Sequence, residues 1–378
     1  MRIPRRLEAR ARTHHPAERH GLLTARHAFA FALAAALAAS ITTGRAEPAS
    51  AVPSLPCRQP QLAAAGSTVY LTCGEGSTVF VSTSRDGGRS FGPLHQVLHA
   101  PSLALGAHRG PRIAVAGDAL VISAVVADQG GGKDGNLVAV RSTDGGRTWS
   151  APVRINDVRD AAREGLHAMA ARGSQVVAAW LDLRAAGTRL YAATATDAGR
   201  SWSPNVLAYE SPSGTICQCC HPSLAIGPDG TVLLMFRNAI AGHRDLYLVR
   251  GVNGTFGQAE KLGEGTWALD ACPMDGGGIA VEPDGGVATV WRRQGTVYLA
   301  RPGEAEIKVA EGANPAIASG PGGPAIAWTG TEGLVLATPD RPPLMLDAAG
   351  RFPSLARAAA VTVVAWEHGP GTRTRTIE

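Results

Sequence analysis

The stretch STDGGRTW (Ser142–Trp149) decides how this chain folds, because near copies stand at SRDGGRSF (Ser84–Phe91) and ATDAGRSW (Ala195–Trp202). Their aspartates, Asp86, Asp144 and Asp197, are 58 and 53 residues apart. A fixed period of that size marks one supersecondary unit used repeatedly. Within each copy the Asp side chain can accept hydrogen bonds from backbone N–H groups of its own turn, glycine supplies the positive-φ positions, and the terminal aromatic packs inward. An apolar alternating stretch precedes each copy (TVFVSTS, NLVAVRS, RLYAATA) and a short extended one follows (GPLHQVL, APVRIN, PNVLAY). The phrase is therefore expected to clasp the turn between two strands.

On these residues the chain resembles the Asp-box, or BNR-repeat, proteins of the sialidase superfamily, whose pattern is Ser-x-Asp-x-Gly-x-x-Trp. Two copies fit throughout if Phe91 is allowed for Trp, and the third has Ala195 for Ser; a fourth unit, RGVNGTF (Arg250–Phe256), keeps only the spacing and the aromatic. The resemblance implies an all-β propeller of four-stranded blades. It implies little about activity, because one fold carries many functions.

Residues 1–46 read as a cleaved secretory segment: seven arginines (Arg2, Arg5, Arg6, Arg10, Arg12, Arg19, Arg26), the apolar run AFAFALAAALAA (Ala28–Ala39), and Gly44-Arg45-Ala46 as a small-x-small cleavage site. The apolar run is too short to span a bilayer. The destination is then the periplasm or the exterior. The net charge of +5 belongs to this segment, and residues 47–378 carry about −1, so no basic surface is left to favour nucleic acid. Those residues, rich in Gly, Val and Ala, suit one closed all-β domain. All six cysteines lie in it, where an oxidising compartment lets disulfides persist. Cys57 and Cys73, flanking the first unit, are expected to pair.

Beyond the clasps, an extended segment, a turn and an apolar strand recur seven times, with units beginning near Gln61, Pro111, His167, Pro222, Met274, Pro315 and Pro353. Seven blades are favoured, and six remain the alternative if one unit is split wrongly. Helical periodicity is absent outside the leader, and no linker divides the domain. Because strands alternate in direction, loops before the first strand and between the second and third share the face opposite the clasps. Ligands are expected there, at the channel mouth.

Two constellations fall on that face. Arg184, Arg237 and Arg292 end second strands in three successive units, and Arg112 opens an innermost strand. Converging guanidinium forks would bind a carboxylate or another planar anion, whereas a single such Arg is as readily a stacking or ion-pairing partner. Sialidases hold their sugar carboxylate with three arginines, and the resemblance implies that Arg112, Arg237 and Arg292 are candidates. It also implies a tyrosine nucleophile and an acid/base carboxylate. Tyr191, Tyr247 and Tyr298 recur in phase and read as packing, Tyr70 lies in a strand, and Tyr209 alone is read as free, on the loop before the cysteine run. Asp128 and Asp134, in ADQGGGKDG, are the candidate acids. Where the resemblance would place the activating glutamate, this chain has Cys219, Cys220 and His221.

The second constellation is that cysteine run. Cys217-x-Cys219-Cys220-His221 opens one unit, Cys272-Pro-Met274 the next, and His167 the previous one. Sulfur and imidazole in this combination suit copper or zinc; two disulfides are the simpler expectation for an exported protein. The expected function is binding of a small anionic or carbohydrate ligand at the channel mouth, with sialidase-type hydrolysis as its possible chemistry and no required cofactor. Metal handling through His167, Cys219, Cys220, His221, Cys272 and Met274 is one rival, and a non-catalytic interaction propeller is another.

Overall fold

A computed structural model describes residues 54–378, so residues 1–46, expected from sequence to be secretory, lie outside the described residues. Seven antiparallel sheets follow one another along the chain, and they form a seven-bladed β-propeller. The blades span Arg58–His99, Ser102–Arg154, His167–Tyr209, Ser223–Lys261, Gly278–Glu311, Ala313–Asp347 and Arg351–Ile377. Each innermost strand packs against those of the two neighbouring blades, and the ring closes where the seventh meets the first. Among the described residues there is no helix, hence none long and apolar enough to cross a membrane.

A short repeat in the innermost strands explains the close approach at the axis. Leu62-Ala63, Ile113-Ala114, Met169-Ala170, Leu224-Ala225, Ile279-Ala280, Ile317-Ala318 and Leu355-Ala356 occupy corresponding places. The small residue fits where the blades converge, and the larger one fills the widening wedge. Farther out, each of the seven interfaces between blades has its own apolar cluster. Trp180, Trp291 and Trp366, all nearly inaccessible, end second strands and fill three of these. Stability is thus spread over nearest-neighbour contacts, as in other repeat architectures.

The recurring phrase makes the turn from third to outermost strand. Asp144 accepts the N–H groups of Arg147 and Thr148, both at 2.9 Å, while Ser142 Oγ accepts the Gly146 N–H at 2.9 Å. Gly145 and Gly146 have φ of 74° and 88°, which an L side chain resists. In the third copy Ala198 occupies the first of these positions with φ 57°.

Ring closure is stitched by the first described residues. Leu55 and Thr372 exchange backbone hydrogen bonds at 2.9 and 2.8 Å, and Gln59 donates its backbone and side-chain N–H groups to Glu367, each at 2.8 Å. The seventh blade has only three strands of its own, so Leu55 supplies part of its missing edge. Cys57 forms the expected disulfide with Cys73, tying this clip to the first blade.

Candidate functional site

The arginines expected at the channel mouth are mostly occupied elsewhere. Arg237, 1% exposed, donates to the carbonyls of Asp275 (3.0 Å), Arg244 (2.6 Å) and Arg292 (2.9 Å). Arg112 donates to the carbonyls of His167, Gly110, Pro111 and His108 at 2.7–3.2 Å. Burial lowers its pKa to about 10, which leaves it charged at neutral pH. Both guanidiniums bridge blades through main-chain oxygens. Arg292 faces Trp267 at 5.2 Å, across from Arg237 at 5.3 Å. Arg184 is not equivalent to these: counting from the pairs Ala168↔Ala179, Ser223↔Met235 and Gly278↔Val290, the counterpart of Arg237 and Arg292 is Leu181. Arg184 instead binds Asp182 (2.8 Å) and Asp157 (3.0 Å) and lies over Tyr191.

The candidate catalytic groups are also dispersed. Tyr209 is not on a free loop; it ends the outermost strand Val206–Tyr209, opposite Leu190, and its ring packs on Phe236 at 4.6 Å. Its hydroxyl oxygen accepts Asn238 Nδ2 at 2.8 Å. Asp134 closes its own loop by accepting the N–H groups of Asp128, Gln129 and Gly130. Those bonds, led by that from Gln129, hold its carboxyl below the usual carboxylate range, so it is kept as an anion and is unsuited to act as an acid. Asp128 is exposed and lies 3.5 Å from Arg159.

What converges at the axis is a set of imidazoles and amides. His108, at φ 58°, stacks on His221 with ring centroids 4.1 Å apart, meets Phe352 edge-on at 5.0 Å, and shares a 2.9 Å hydrogen bond with Asn314. One residue ahead of the second blade's innermost strand thus touches the lead-in of the fourth blade and the first residues of the sixth and seventh. Beneath it is an axial cavity of about 270 Å³, with lining that includes Gln61, Arg112, Ser223, Asn314 and Ser354. Gln59, Asn314 and Phe352, each just before a proline, have φ of 54°, 52° and 49°. Backbone this unusual persists only where its surroundings enforce it. Asp275, 1% exposed, accepts the N–H groups of Asn314 (2.8 Å) and Gly277 (3.2 Å) behind the wall. Burial lowers the pKa of His108 and, farther, of His221, so both rings are neutral donor–acceptors at pH 7. Sequence reading missed Asn314, Gln59 and Phe352, although the recurring X-Pro at innermost-strand starts was a usable signal.

The cysteines form a separate cluster beside this cavity. Cys217, Cys219, Cys220 and Cys272 are free thiols, so the two further disulfides expected from export are not formed here. Cys217 Sγ is 3.7 Å from Cys219 Sγ and 3.2 Å from Cys220 Sγ, and all three sulfurs lie within 4.8 Å of one another. Met274 packs on the group, and Cys272, exposed, stands two residues before it in the facing loop. Burial pushes the Cys220 thiol up to about 12. Neither histidine expected with them joins in: His167 is buried against Ser123 Oγ at 3.0 Å, and His221 is hydrogen-bonded through Nε2 to the Gly277 carbonyl (3.0 Å) and through Nδ1 to the Gly276 N–H (3.3 Å).

No family model and no curated protein matches the chain. Among solved structures, an ulvan lyase of a polysaccharide lyase family is similar at TM-score 0.55 and 10% identity, covering 86% of this chain and 94% of its own. The leech intramolecular trans-sialidase gives 0.52 at 10% identity, covering 85% of this chain and 68% of its own. The Penicillium chrysogenum α-L-arabinanase, complexed with arabinobiose, gives 0.51 at 12% identity, with 85% and 92% covered. These three similarities establish a shared propeller architecture.

Proposed function

We propose that this chain is an exported propeller that holds a small hydroxylated ligand, a glycosyl unit, in its axial cavity. The observation that carries the reading is the cavity's lining of neutral, hydrogen-bonding side chains (Gln61, His108, His221, Ser223, Asn314 and Ser354) contributed by the first, second, fourth, sixth and seventh units. Mixed donors and acceptors of this kind match hydroxyl groups, which both donate and accept. A volume of about 270 Å³ stands just below the usual range of ligand sites, roughly 300–1,000 Å³, and suits a single sugar ring. The structural relatives that act on or bind carbohydrate support the same class of ligand. The sugar acid favoured by sequence has less support, because the one cationic side chain in the wall, Arg112, gives its donors to four carbonyls. Sialoside hydrolysis is likewise not expected from Tyr209, Asp128 and Asp134 as they are placed. The Cys57–Cys73 disulfide supports delivery by residues 1–46 to an oxidising compartment.

Glycan-array binding by the purified full chain tests the reading, with a fluorogenic sialoside assay alongside. Retention of neutral glycans, weakened by Gln61→Ala and by Asn314→Ala, with no sialoside turnover, is the expected result. Failure to retain any glycan, or cleavage of sialosides abolished by Arg237→Lys, would overturn it.

A further inference from the structure

We infer that the sulfur cluster between the lead-ins of the fourth and fifth blades is a Cu(I) site, with the thiolates of Cys217, Cys219 and Cys220 as ligands and Cys272 and Met274 closing it. The inference is independent of the carbohydrate reading and concerns different side chains. Two thiolates bound to one ion at about 2.3 Å stand ~3.8 Å apart in tetrahedral geometry. The 3.7 Å between Cys217 and Cys219 already meets this, and the 3.2 Å between Cys217 and Cys220 needs to open by only about half an ångström. Neither pair is at the ~2.05 Å of a disulfide, unlike Cys57 and Cys73 in the same chain.

The two loops are held together by groups that are not themselves ligands. Cys217 N–H donates to the Arg237 carbonyl at 3.0 Å, while Arg237 Nε donates to the Asp275 carbonyl at 3.0 Å, so one buried residue clamps the CQCCH loop to the Cys-Pro-Met loop. At Gly276 the loops come so close that a Cβ would lie 1.8 Å from the His221 carbonyl oxygen. The sulfurs therefore converge on a rigid frame, which a metal site requires.

The donor set selects the metal. Buried thiols with no free imidazole are soft ligands that suit Cu(I) and zinc alike, and the thioether of Met274 beside them favours Cu(I). Zinc would gain nothing from Met274. Three of the thiols are buried and Cys272 is exposed, which makes Cys272 the point where an arriving ion first exchanges ligands. Loading breaks three S–H bonds, sends three protons to solvent and forms three S–Cu bonds. Copper enters and stays as Cu(I), so no electron is transferred.

The test is an anaerobic titration of the full chain, purified from the periplasm, with Cu(I) against a chromogenic Cu(I) chelator, followed by metal analysis and thermal melting. One Cu(I) per chain, a thiolate-to-copper charge-transfer band and a raised melting temperature are expected. Cys219→Ser should abolish retention against the chelator. Cys272→Ser and Met274→Leu, at positions whose change leaves the buried trio intact, should weaken it by about 10-fold or more, so the inference stays testable if Cys219→Ser does not fold. Loss of copper to the chelator by wild type, retention of zinc in preference to copper, or a denatured thiol count showing the four cysteines oxidised in pairs would each overturn it.

Discussion

Replacing Arg237 by Met separates two roles that sequence alone could not tell apart. If the guanidinium is a fastener, its loss strands the carbonyls of Asp275, Arg244 and Arg292 in a site that is 1% exposed. Three hydrogen bonds from a charged donor at ~1.5–3 kcal/mol each give a gross loss of roughly 4.5–9 kcal/mol. Part of this is returned, because an arginine buried without a carboxylate partner carries a desolvation cost that methionine removes. The net destabilisation should be about 3–5 kcal/mol, the scale seen when one partner of a buried charged interaction is deleted. In a domain of this size that corresponds to a fall in melting temperature of about 4–7 °C. Arg237→Lys should recover little of it, since one ammonium nitrogen cannot span three carbonyls on separate loops. Urea denaturation followed by tryptophan fluorescence and circular dichroism measures the loss. A variant within about 0.5 kcal/mol of wild type, the range of a neutral surface change, that had nonetheless lost an acidic ligand would refute the reasoning and restore Arg237 as an anion-binding residue.

Removing the clip by Cys57→Ser with Cys73→Ser should cost about 2–5 kcal/mol, and reducing agent should produce the same loss in wild type, read as coincident denaturation midpoints. His167 is fully buried beside Arg112, and burial first, then that positive charge, hold its pKa well below the ordinary 6.5. The unfolded chain therefore gains a proton below about pH 6.5 that the native state refuses, so this contribution to stability is complete above that pH and falls as pH drops, by up to ~1.4 kcal/mol per unit. His167→Gln should make the stability profile less steep between pH 7 and 5, with His108 and His221 still contributing to the slope; an unchanged profile would contradict the lowered pKa of His167. Ala198→Gly should stabilise by roughly 0.5–1 kcal/mol, because φ 57° costs alanine what glycine avoids, and a denaturation midpoint that did not rise would contradict the strain.

The period of the chain gave access to architecture because equivalent residues in a repeat meet equivalent neighbours. Three clasps announced the first three blades, and the second strands carrying Phe236, Trp291, Trp328 and Trp366 brought the count to seven even though no complete clasp phrase exists there. The same logic brought Cys217, Cys219 and Cys220 together with Cys272 and Met274, since both segments lead into adjacent innermost strands. It failed wherever a side chain's partner is chosen across blades. The contacts of Arg237 lie 7, 38 and 55 residues away, and nothing in TVLLMFRN distinguishes a guanidinium facing ligand from one facing carbonyls. Arg184 was grouped with it by the look of a strand end, whereas the ladder register puts Leu181 in that place. Tyr209 was read as loop because the strand Val206–Tyr209 is short and carries an exposed Leu207. His167 was assigned to the sulfur cluster by its place along the chain, but its ring faces Ser123 of the preceding blade.

These failures share a cause with consequences for the site itself. In a propeller every blade start is drawn to the axis, and most of the polar groups there must hold the ring closed before any can serve a ligand. Arg112, Arg237 and Asp275 satisfy backbone donors and acceptors that would otherwise be orphaned by the crowded, proline-led turns. Neutral groups share that task, since Ser354 Oγ accepts the Leu62 N–H at 3.0 Å across the closing seam and both His221 and Ser223 bind the Gly277 carbonyl; under the proposed readings the side chains left for a ligand are chiefly the Gln61 and Asn314 amides, and the sulfurs, whose weak hydrogen bonding makes them poor fasteners, are left for a metal. The buried charges at the axis are therefore largely taken up by main-chain partners, so the residues that stand out most in the sequence are the least available to a ligand.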